Sequence, residues 1–245
     1  MRYIIVSDIH SNLEALQAVF KDIGKVSPSD KIVCLGDVVG YGPNPNECVE
    51  FIAERTSFTI MGNHDHALLG LTDLEYFNPY AAYALLWTQD VLSDQNRKIL
   101  ETYQISVREN HILFVHATPK DPLNWDYIST PADAIYHLKD MTEPISFIGH
   151  SHIPVYYALD GKNRLIEERK DAFTLQIRNG FRYIINVGSV GQPRDRNPSA
   201  AYAIYDLDKK RVEVRRVPYD IQTTQQKMRK VNLPVFLIER LSRGI

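Results

Sequence analysis

Residues 3–10 of this chain, YIIVSDIH, decide its fold, because four consecutive apolar residues lead directly into an aspartate and a histidine. A run that is apolar at every position indicates a β-strand covered on both faces, as in α/β proteins. Asp8 and His10 are two positions apart, so in an extended backbone both side chains project from one face. One strand end therefore presents two potential ligands to the same place.

The same pattern, a short apolar run followed at once by polar residues, recurs four more times along the chain. The runs at 31–35, 58–61, 112–115 and 145–148 lead into GDVVG, GNHD, HATP and GHSH, respectively. One such block alone is weak evidence, but five in order are not a coincidence. Ligand sites of open α/β sheets form outside the carboxyl ends of the strands. We therefore expect one site that contains Asp8, His10, Asp37, Asn63, His116, His150 and His152.

Seven donors exceed what a site for a single metal ion uses. They suit two ions roughly 3.5–4 Å apart that share a carboxylate and a water-derived hydroxide. Such a pair clamps phosphate oxygens and generates a nucleophile near neutral pH. Carboxylate, imidazole and amide donors without thiolate suit Mn²⁺, Fe, Zn²⁺ or Ni²⁺. The residues do not choose among these divalent ions, and Mn²⁺ is the one we expect.

Helical patterns separate the early apolar runs, and alternating patterns follow from residue 154 onward. The predicted helices are 12–24, 45–54, 80–103 (divided near Ser93) and 132–139, and the predicted hairpin is 200–207 with 211–217. The tail, 220–245, is predicted to form two helices broken at Pro234. The sequence contains no repeat, low-complexity tract or linker. We therefore expect one domain, 1–245, with a helical insertion at 68–103.

The bulk composition favours an ordinary folded enzyme. Hydrophobic residues make up 44% of the 245 residues and charged residues 24%, which are typical values. The formal net charge of -2 provides no overall attraction to nucleic acid or to an anionic membrane. With only two cysteines, the chain does not have the composition of a secreted domain cross-linked by several disulfide bonds. The sequence contains no signal-peptide pattern and no apolar stretch long enough to span a membrane. We expect a cytoplasmic enzyme without stable nucleic-acid or membrane binding; the oligomeric state is not defined.

The ordered blocks Asp-X-His, Gly-Asp-X-X-Gly, Gly-Asn-His-Asp, a lone His and Gly-His-X-His resemble those of the calcineurin-like metallophosphoesterase superfamily. The stretches 7–12, 36–43 and 186–194 resemble its small prokaryotic phosphodiesterase branch. This resemblance implies an α/β fold in the form of a four-layer αββα sandwich. Two mixed β-sheets would be flanked by helices, with a dinuclear metal site at the carboxyl ends of the strands.

The resemblance also implies a role for each residue of the site. One ion would be bound by Asp8, His10 and His152, the other by Asn63, His116 and His150, with Asp37 as the bridge. His64 would contact a phosphoryl oxygen or protonate the leaving alkoxide, tasks for which imidazole is suited. Asp65 would orient the His64 ring, as carboxylates often do.

Two further residues are candidates for substrate binding. Arg194 could hold a phosphate oxygen through its guanidinium group, or it could pair with Asp195 in the same loop. Tyr41, together with Trp125 and Tyr127, could stack on a base or an aromatic leaving group, or simply pack under loops. The expected substrate is a phosphate-ester small molecule or a nucleotide.

We expect metal-dependent hydrolysis of phosphodiesters or phosphomonoesters by attack of a hydroxide that two metal ions activate. One alternative is hydrolysis of dinucleoside polyphosphates of the diadenosine tetraphosphate type. A lower-ranked alternative is a non-catalytic scaffold protein with the same fold. Such a protein would be expected to have lost some of the metal-binding residues, whereas all of them and His64 are present here. Protein phosphatases of the superfamily usually carry Gly-Asp-X-X-Asp-Arg-Gly at the second block. This chain has no arginine there, which disfavours that activity.

Overall fold

A computed structural model describes residues 1–24 and 27–245, in which two six-stranded β-sheets pack face to face. The strands described are β1 (Arg2–Val6), β2 (Lys31–Cys34), β3 (Phe58–Thr59), β4 (Ser106–Glu109), β5 (Ile112–Val115), β6 (Ile145–Ile148), β7 (Val155–Leu159), β8 (Leu165–Arg169), β9 (Phe173–Gln176), β10 (Arg182–Asn186), β11 (Ala200–Asp206) and β12 (Arg211–Val217). The α-helices described are α1 (Leu13–Ile23), α2 (Pro45–Arg55), α3 (Asn63–Leu68), α4 (Pro79–Val91), α5 (Asp94–Leu100), α6 (Pro131–Asp140), α7 (Ile221–Lys230) and α8 (Val235–Arg243).

Both sheets are mixed, as the family resemblance implied. The first has the order β3-β2-β1-β11-β12-β9 and the second the order β4-β5-β6-β10-β7-β8. In the first sheet β1 pairs in parallel with β2 and antiparallel with β11. In the second, β6 lies between β5 and β10 and is parallel to both. Each sheet therefore contains a block of three parallel strands, β3, β2 and β1 at one edge of the first sheet and β5, β6 and β10 inside the second. The polar blocks follow the carboxyl ends of β1, β2, β3, β5 and β6.

Alternation of side chains along each strand divides the core into layers. In β1, Tyr3 and Ile5 belong to the cluster between the two sheets, whereas Ile4 and Val6 pack against the helices outside the first sheet. In β6, Phe147 faces the other sheet and Ile148 packs in the layer that includes residues of α6. Burial on both faces explains why these strands are almost continuously apolar, with Arg2 at the start of β1 and Ser146 in β6 as the exceptions. The predicted four-layer αββα arrangement is confirmed.

Local signals predicted most element boundaries well. The Asn12 side chain accepts from the Ala15 backbone N–H at the start of α1, and Gly24 follows the last helical residue. Ser93 caps α5, where the division of 80–103 was predicted. Strands β5 and β6 have the predicted ends, and the hairpin of β11 and β12 is one residue shorter than predicted. Helix α3 was not predicted, because it begins within the polar block that follows β3.

Candidate metal centre

The predicted ligands lie together in the loops that follow β1, β2, β5 and β6 and at the first residue of α3. Two groups of donor atoms occur among the described residues. Within each group, the donor atoms lie within 4.8 Å of one another. One group is Asp8, His10, Asp37 and His152, the other is Asp37, His116 and His150, and all are buried. Asp37 belongs to both groups. This is the division that the resemblance implied, and the assignment of each residue to an ion stays a prediction.

Interatomic distances show how closely the carboxylates and imidazoles approach. The Oδ2 atom of Asp37 lies 3.6 Å from Nε2 of His10 and 3.4 Å from Nε2 of His116. The Oδ1 atom of Asp8 lies 3.3 Å from Nε2 of His152. The Nε2 atoms of His10 and His152 are only 3.1 Å apart. The Asp8 carboxylate also accepts from the His150 backbone N–H at 3.2 Å, and the other atoms point at a shared space.

Backbone carbonyls determine which nitrogen of each histidine faces that space. The Nδ1 atoms of His10, His116 and His152 lie 3.1, 2.8 and 2.6 Å from the carbonyl oxygens of Val39, Leu35 and Gln192. In His150 it is Nε2 that lies 2.9 Å from the Trp125 carbonyl oxygen. A carbonyl only accepts, so each of these nitrogens donates its N–H, and the other ring nitrogen faces the shared space and can bind a metal ion once it carries no proton. Such bonds orient metal-binding histidines.

Unpartnered buried atoms show that the residues fit a pair of cations. Asn63 Oδ1 and His116 Nε2 are buried and have no hydrogen-bond partner among the described residues. A buried polar atom without a partner costs free energy, and so do facing lone pairs on His10 and His152. Divalent ions would satisfy all of these atoms at once. The donor set therefore fits a dinuclear divalent metal centre.

Burial and neighbouring charges shift the pKa values of these groups in the metal-free protein. Burial raises the pKa of Asp8 to about 7, against the opposing effect of His116. Burial acts to lower the pKa of His116 as well, but the Asp37 carboxylate outweighs it and raises that pKa to about 9. The pKa of Asp37 is accordingly held well below its usual value in spite of burial, chiefly by His116. A proton on His116 thus neutralises Asp37 until a metal ion displaces it.

Several donors are held in a backbone conformation that their residue types seldom adopt. Asp8, His10, Asp37, His150 and His152 have φ values of 53°, 49°, 52°, 66° and 61°. Left-handed backbone is unfavourable for residues with a Cβ atom, and it concentrates at functional sites where the surrounding structure enforces it. Ser189 Oγ donates to the Asp8 carbonyl oxygen at 2.8 Å, and Gly191 N–H donates to the same atom at 2.9 Å. The loop after β10 thereby holds the loop after β1.

His64 lies beside the donor groups without belonging to either. Its backbone N–H donates to Asp37 Oδ1 at 2.9 Å. Its ring lies 4.8 Å from that of His10, 4.5 Å from that of Tyr41 and 5.0 Å from that of Phe77, measured between centroids. Burial lowers the pKa of His64 to about 4, and its Nδ1 atom has no hydrogen-bond partner among the described residues. The ring is therefore neutral near pH 7 in the free protein.

Asp65 does not have the contact that was predicted for it. No described hydrogen bond joins its carboxylate to the His64 ring. Its Oδ1 atom accepts from the backbone N–H groups of Val38 and Val39 at 3.0 and 3.2 Å, and its Oδ2 atom accepts from Gly62 N–H at 3.0 Å. Asp65 is the third residue of α3, where a carboxylate reaches back to the residue before the helix. This local bond directs the side chain away from the ring.

Arg194 and Tyr41 lie together at the edge of the donor groups. The Nη2 atom of Arg194 donates to Gln192 Oε1 at 2.8 Å and lies 3.5 Å from the Tyr41 hydroxyl oxygen. The ion pair with Asp195 that the sequence left open is not formed, because Asp195 pairs with Arg216. The Tyr41 ring lies 4.7 Å from the His10 ring. Both predicted substrate-binding residues are thus near the metal centre, and their roles stay predictions.

A cavity of about 600 Å³ opens onto this centre. Asn63, His64 and His150 contribute to its floor, and the aromatic residues Tyr41, Tyr76, Phe77, Trp125 and Tyr127 to its walls. Tyr127 stacks on His150, with ring centroids 4.1 Å apart. The wall residues at 71–78 were missed, because that stretch carries no ligand block. The run Tyr76-Phe77-Asn78 before the Pro79 helix start was the only local signal there.

Comparisons with known proteins agree with this geometry. The sequence model for calcineurin-like phosphoesterases matches residues 1–186. An uncharacterized protein of Methanocaldococcus jannaschii is 44% identical over 245 residues, which cover 98% of this chain and 97% of that protein. The crystal structure of a metallophosphoesterase from Sphaerobacter thermophilus superposes with a TM-score of 0.89 at 39% identity and covers 100% of both chains.

A shorter similarity concerns a nucleotide hydrolase. The symmetrical bis(5'-nucleosyl)-tetraphosphatase of Actinobacillus pleuropneumoniae serotype 5b is 32% identical over 82 residues, which cover 32% of this chain and 30% of that enzyme.

Within residues 1–24 and 27–245, no helix has the length and apolar character needed to cross a membrane.

Proposed function

Since this chain belongs to the calcineurin-like phosphoesterase family, we propose that it hydrolyses phosphodiesters or phosphomonoesters through a hydroxide that two metal ions activate. It is a metal-dependent phosphoesterase, and its family and buried Asp/His cluster indicate a dinuclear divalent centre. The proposal adds the roles of individual residues, the preferred metal and the kind of substrate. The observation that carries it is the pair of buried donor groups that share Asp37 beneath an open cavity.

The ligands divide between two positions. Asp8, His10 and His152 would hold one ion, Asn63, His116 and His150 would hold the other, and Asp37 would be shared by both. When bound, the ions supply an activated water and neutralise charge on the phosphoryl oxygens. Mn²⁺ is the ion we propose, because a donor set of carboxylate, imidazole and amide without thiolate accepts it. Hydrogen bonds to backbone carbonyls already orient these histidines, so the ring nitrogens that would bind the ions face the site before metal arrives.

His64 interacts with the reacting phosphate and with the leaving group. Its ring is neutral near pH 7 in the free protein, since burial lowers its pKa to about 4. A phosphoryl anion beside the ring raises that pKa, because opposite charges favour the protonated form. The ring then donates a hydrogen bond to a phosphoryl oxygen or a proton to the leaving alkoxide. Asp65 serves this site indirectly by holding the backbone of Val38, Val39 and Gly62.

The cavity accommodates the organic part of the ester. Its aromatic walls favour a planar group such as a nucleobase or an aryl ring, and Arg194 contacts a non-bridging phosphate oxygen. Residues 1–245 work as one domain, because the tail packs against α4 and Tyr41. We also propose a cytoplasmic location, since the two cysteines are buried free thiols.

Turnover of a generic diester tests the proposal. The purified protein is stripped of metal, reloaded with Mn²⁺ and assayed with bis(p-nitrophenyl) phosphate, while bound metal is counted by mass spectrometry. We expect turnover with Mn²⁺ and close to two ions per chain. Absence of turnover with Mn²⁺, Ni²⁺, Fe²⁺ and Zn²⁺ would refute it. An Asp37→Asn protein should lose both metal and activity, and full metal occupancy in that variant would contradict the bridging role.

Hydrolysis of diadenosine tetraphosphate is the second candidate function. The short similarity to the tetraphosphatase of Actinobacillus pleuropneumoniae favours it. Comparing kcat/KM for diadenosine tetraphosphate with that for bis(p-nitrophenyl) phosphate decides between the two. A clear preference for the tetraphosphate would support this narrower activity.

A further inference from the structure

Residues 187–199, between β10 and β11, form the Arg194 loop, which is hydrogen-bonded to other parts of the chain on both sides of Arg194. The Arg194 backbone N–H donates to the His152 carbonyl oxygen at 3.3 Å, and the Arg196 backbone N–H donates to the Gly244 carbonyl oxygen at 2.7 Å. The first bond joins the loop to a predicted metal ligand, and the second joins it to the turn after α8. The backbone of Arg194 is thereby held beside the metal centre.

Gln192 connects His152 and Arg194 through two different groups. Its backbone carbonyl oxygen lies 2.6 Å from His152 Nδ1. Its side-chain Oε1 atom accepts from Nε and Nη2 of Arg194 at 3.2 and 2.8 Å. Gln192 is only 2% exposed. A buried oxygen that accepts two bonds from one planar guanidinium restricts the directions in which that group can point.

The remaining edge of the Arg194 guanidinium is not used by the protein. Within the described part of the chain, Nη1 forms no hydrogen bond and Arg194 forms no ion pair; its other side-chain contact is Nη2 at 3.5 Å from the Tyr41 hydroxyl oxygen. The side chain is half-buried. Nη1 therefore keeps its N–H groups for an outside acceptor, and a phosphate oxygen is an acceptor of matching charge.

A nearby arginine has the opposite arrangement. Arg216 forms an ion pair with Asp195 of the Arg194 loop, so its charge is neutralised within the protein. The amide of Gln192 offers Arg194 an oxygen acceptor without a negative charge. A carboxylate in its place would pair with the guanidinium and compete with a substrate phosphate for it. Arg194 is thus oriented without being neutralised.

We propose that Gln192 is a positioning residue for substrate binding, whose neutral side chain directs Arg194 toward a phosphate oxygen without cancelling its charge. The inference rests on the proposed function, in which Arg194 contacts a non-bridging phosphate oxygen. Gln192 acts through Arg194 rather than on the reacting atoms. Its bond to His152 comes from the backbone, so substitution of the side chain leaves that bond in place.

Binding of inorganic phosphate to the Mn²⁺-loaded protein tests this role without requiring turnover. Dissociation constants are measured by calorimetry, and bound metal is counted by mass spectrometry. Arg194→Ala should weaken phosphate binding about tenfold, the scale of a charge-assisted hydrogen bond. Gln192→Met, which removes both side-chain bonds without adding charge, should weaken it about threefold with metal content unchanged. In the Arg194→Ala background, Gln192→Met should have no further effect, because the two residues act as one unit.

Gln192→Glu tests whether the side chain must be neutral. A carboxylate still accepts both N–H bonds, but it forms an ion pair with Arg194. Phosphate binding should therefore weaken about tenfold, more than in Gln192→Met. Gln95→Glu is the matched control, since it makes the same chemical change at an exposed position of α5, which contributes no predicted ligand. That variant should bind phosphate as the wild type does.

Two results would overturn the proposal. One is an equal effect of Gln192→Met with and without Arg194, because the side chain would then act on the fold or the metal ligands. The other is phosphate binding of wild-type strength in Gln192→Glu. If Gln192→Met does not fold, the shorter Gln192→Asn replaces it in the comparison. Absence of diester turnover with every metal would instead contradict the proposed function, while phosphate calorimetry would still test the role of Gln192.

Discussion

At the scale of residues, the chemistry of the site depends on hydrogen bonds that occupy one nitrogen of each ligand histidine. Three of these rings use Nδ1 and His150 uses Nε2, each toward a backbone carbonyl. His64 differs, because its buried Nδ1 has no partner among the described residues. That difference fits the separate roles proposed for them, metal binding by the four histidines and action on the substrate by His64.

Removing the His64 ring should slow catalysis without emptying the metal site. In His64→Ala we expect kcat to fall by roughly 10²–10⁴-fold, the usual contribution of a general acid, with metal content unchanged. Steady-state kinetics and metal analysis measure both. His111→Asn is the control, since His111 is exposed and asparagine tolerates its positive φ. Loss of metal from His64→Ala would indicate a ligand instead.

Residue identities and spacing were sufficient to predict which buried donor residues lie together, but not every contact. Asp8 and His10 could be placed because strand geometry determines where alternate residues point. The partner of Asp65 could not, because a carboxylate near a helix start can bond either to a neighbouring ring or to backbone N–H groups. Likewise, Asp195 is nearest to Arg194 in sequence, yet it pairs with Arg216 from another strand.

At the scale of elements, the loops after the strands determine the position of the catalytic groups. The loop after β2 contains Gly40, which has a φ of 88°, and a Cβ atom there would overlap with the His64 ring. Helix α3 carries that ring and begins at Asn63, a predicted ligand. A strand, a loop and a short helix therefore act as one unit, although only the strand has an apolar pattern that predicts it.

Gly40→Ala should displace the His64 ring and reduce activity. A misplacement of about 1 Å can lower the rate on the order of 100-fold, so we expect a loss of kcat with metal content retained. Gly180→Ala is the matched control, because Gly180 also has a positive φ of 80° but no atom lies within 4 Å of its Cβ position. Equal kcat losses in the two variants would attribute the effect to backbone strain alone.

The loop between β5 and α6 forms one wall of the cavity through Trp125. Trp125→Ala should raise KM for bis(p-nitrophenyl) phosphate by about tenfold, since stacking on an aromatic side chain contributes on that scale. The value of kcat should change little, because His150 bonds to the backbone carbonyl of residue 125 and not to its ring. Tyr136→Ala, on exposed α6 surface, is the control. A selective loss of kcat would disprove this role.

At the scale of the whole molecule, the metal centre joins the two sheets. The first sheet contributes Asp8, His10 and Asp37, and the second contributes His116, His150 and His152. Bringing buried carboxylates together in the absence of metal is unfavourable. Bound ions should therefore stabilise the two-sheet fold in addition to taking part in the hydrolysis of the substrate.

Removing metal should lower the thermal stability of the protein. Ligand at 100 times its Kd stabilises the native state by about 2.7 kcal/mol, which corresponds to a Tm increase of about 5–10 °C for a chain of this size. Calorimetric scans with excess Mn²⁺ and with EDTA should differ by this amount. Asp37→Asn should lose most of the increase, whereas His111→Asn should retain it. A Tm independent of metal would show that the native state does not bind the ion preferentially, and it would contradict the predicted metal centre.

The overall arrangement could be inferred only in part from local patterns. Apolar runs predicted the parallel strands, but nothing near Arg2 in the sequence indicates that it lies opposite Asp206 in β11. The docking of α8 on the Arg194 loop is equally long-range, and it depends on close packing at Gly244. Such contacts arise from the shape of the assembled layers rather than from the pattern of one segment.

The pairing of β1 with β11 has a consequence for the order of events during protein synthesis. Asp8 leaves the ribosome before the strand beside it and before the loop that bonds to its carbonyl oxygen. The ligand cluster can therefore form completely only after β11 has been made. We expect ribosome-stalled chains that end before β11 to retain no Mn²⁺ on gel filtration, whereas stalled full-length chains retain it. Delayed metallation of this kind would spare half-made chains from premature capture of a competing ion.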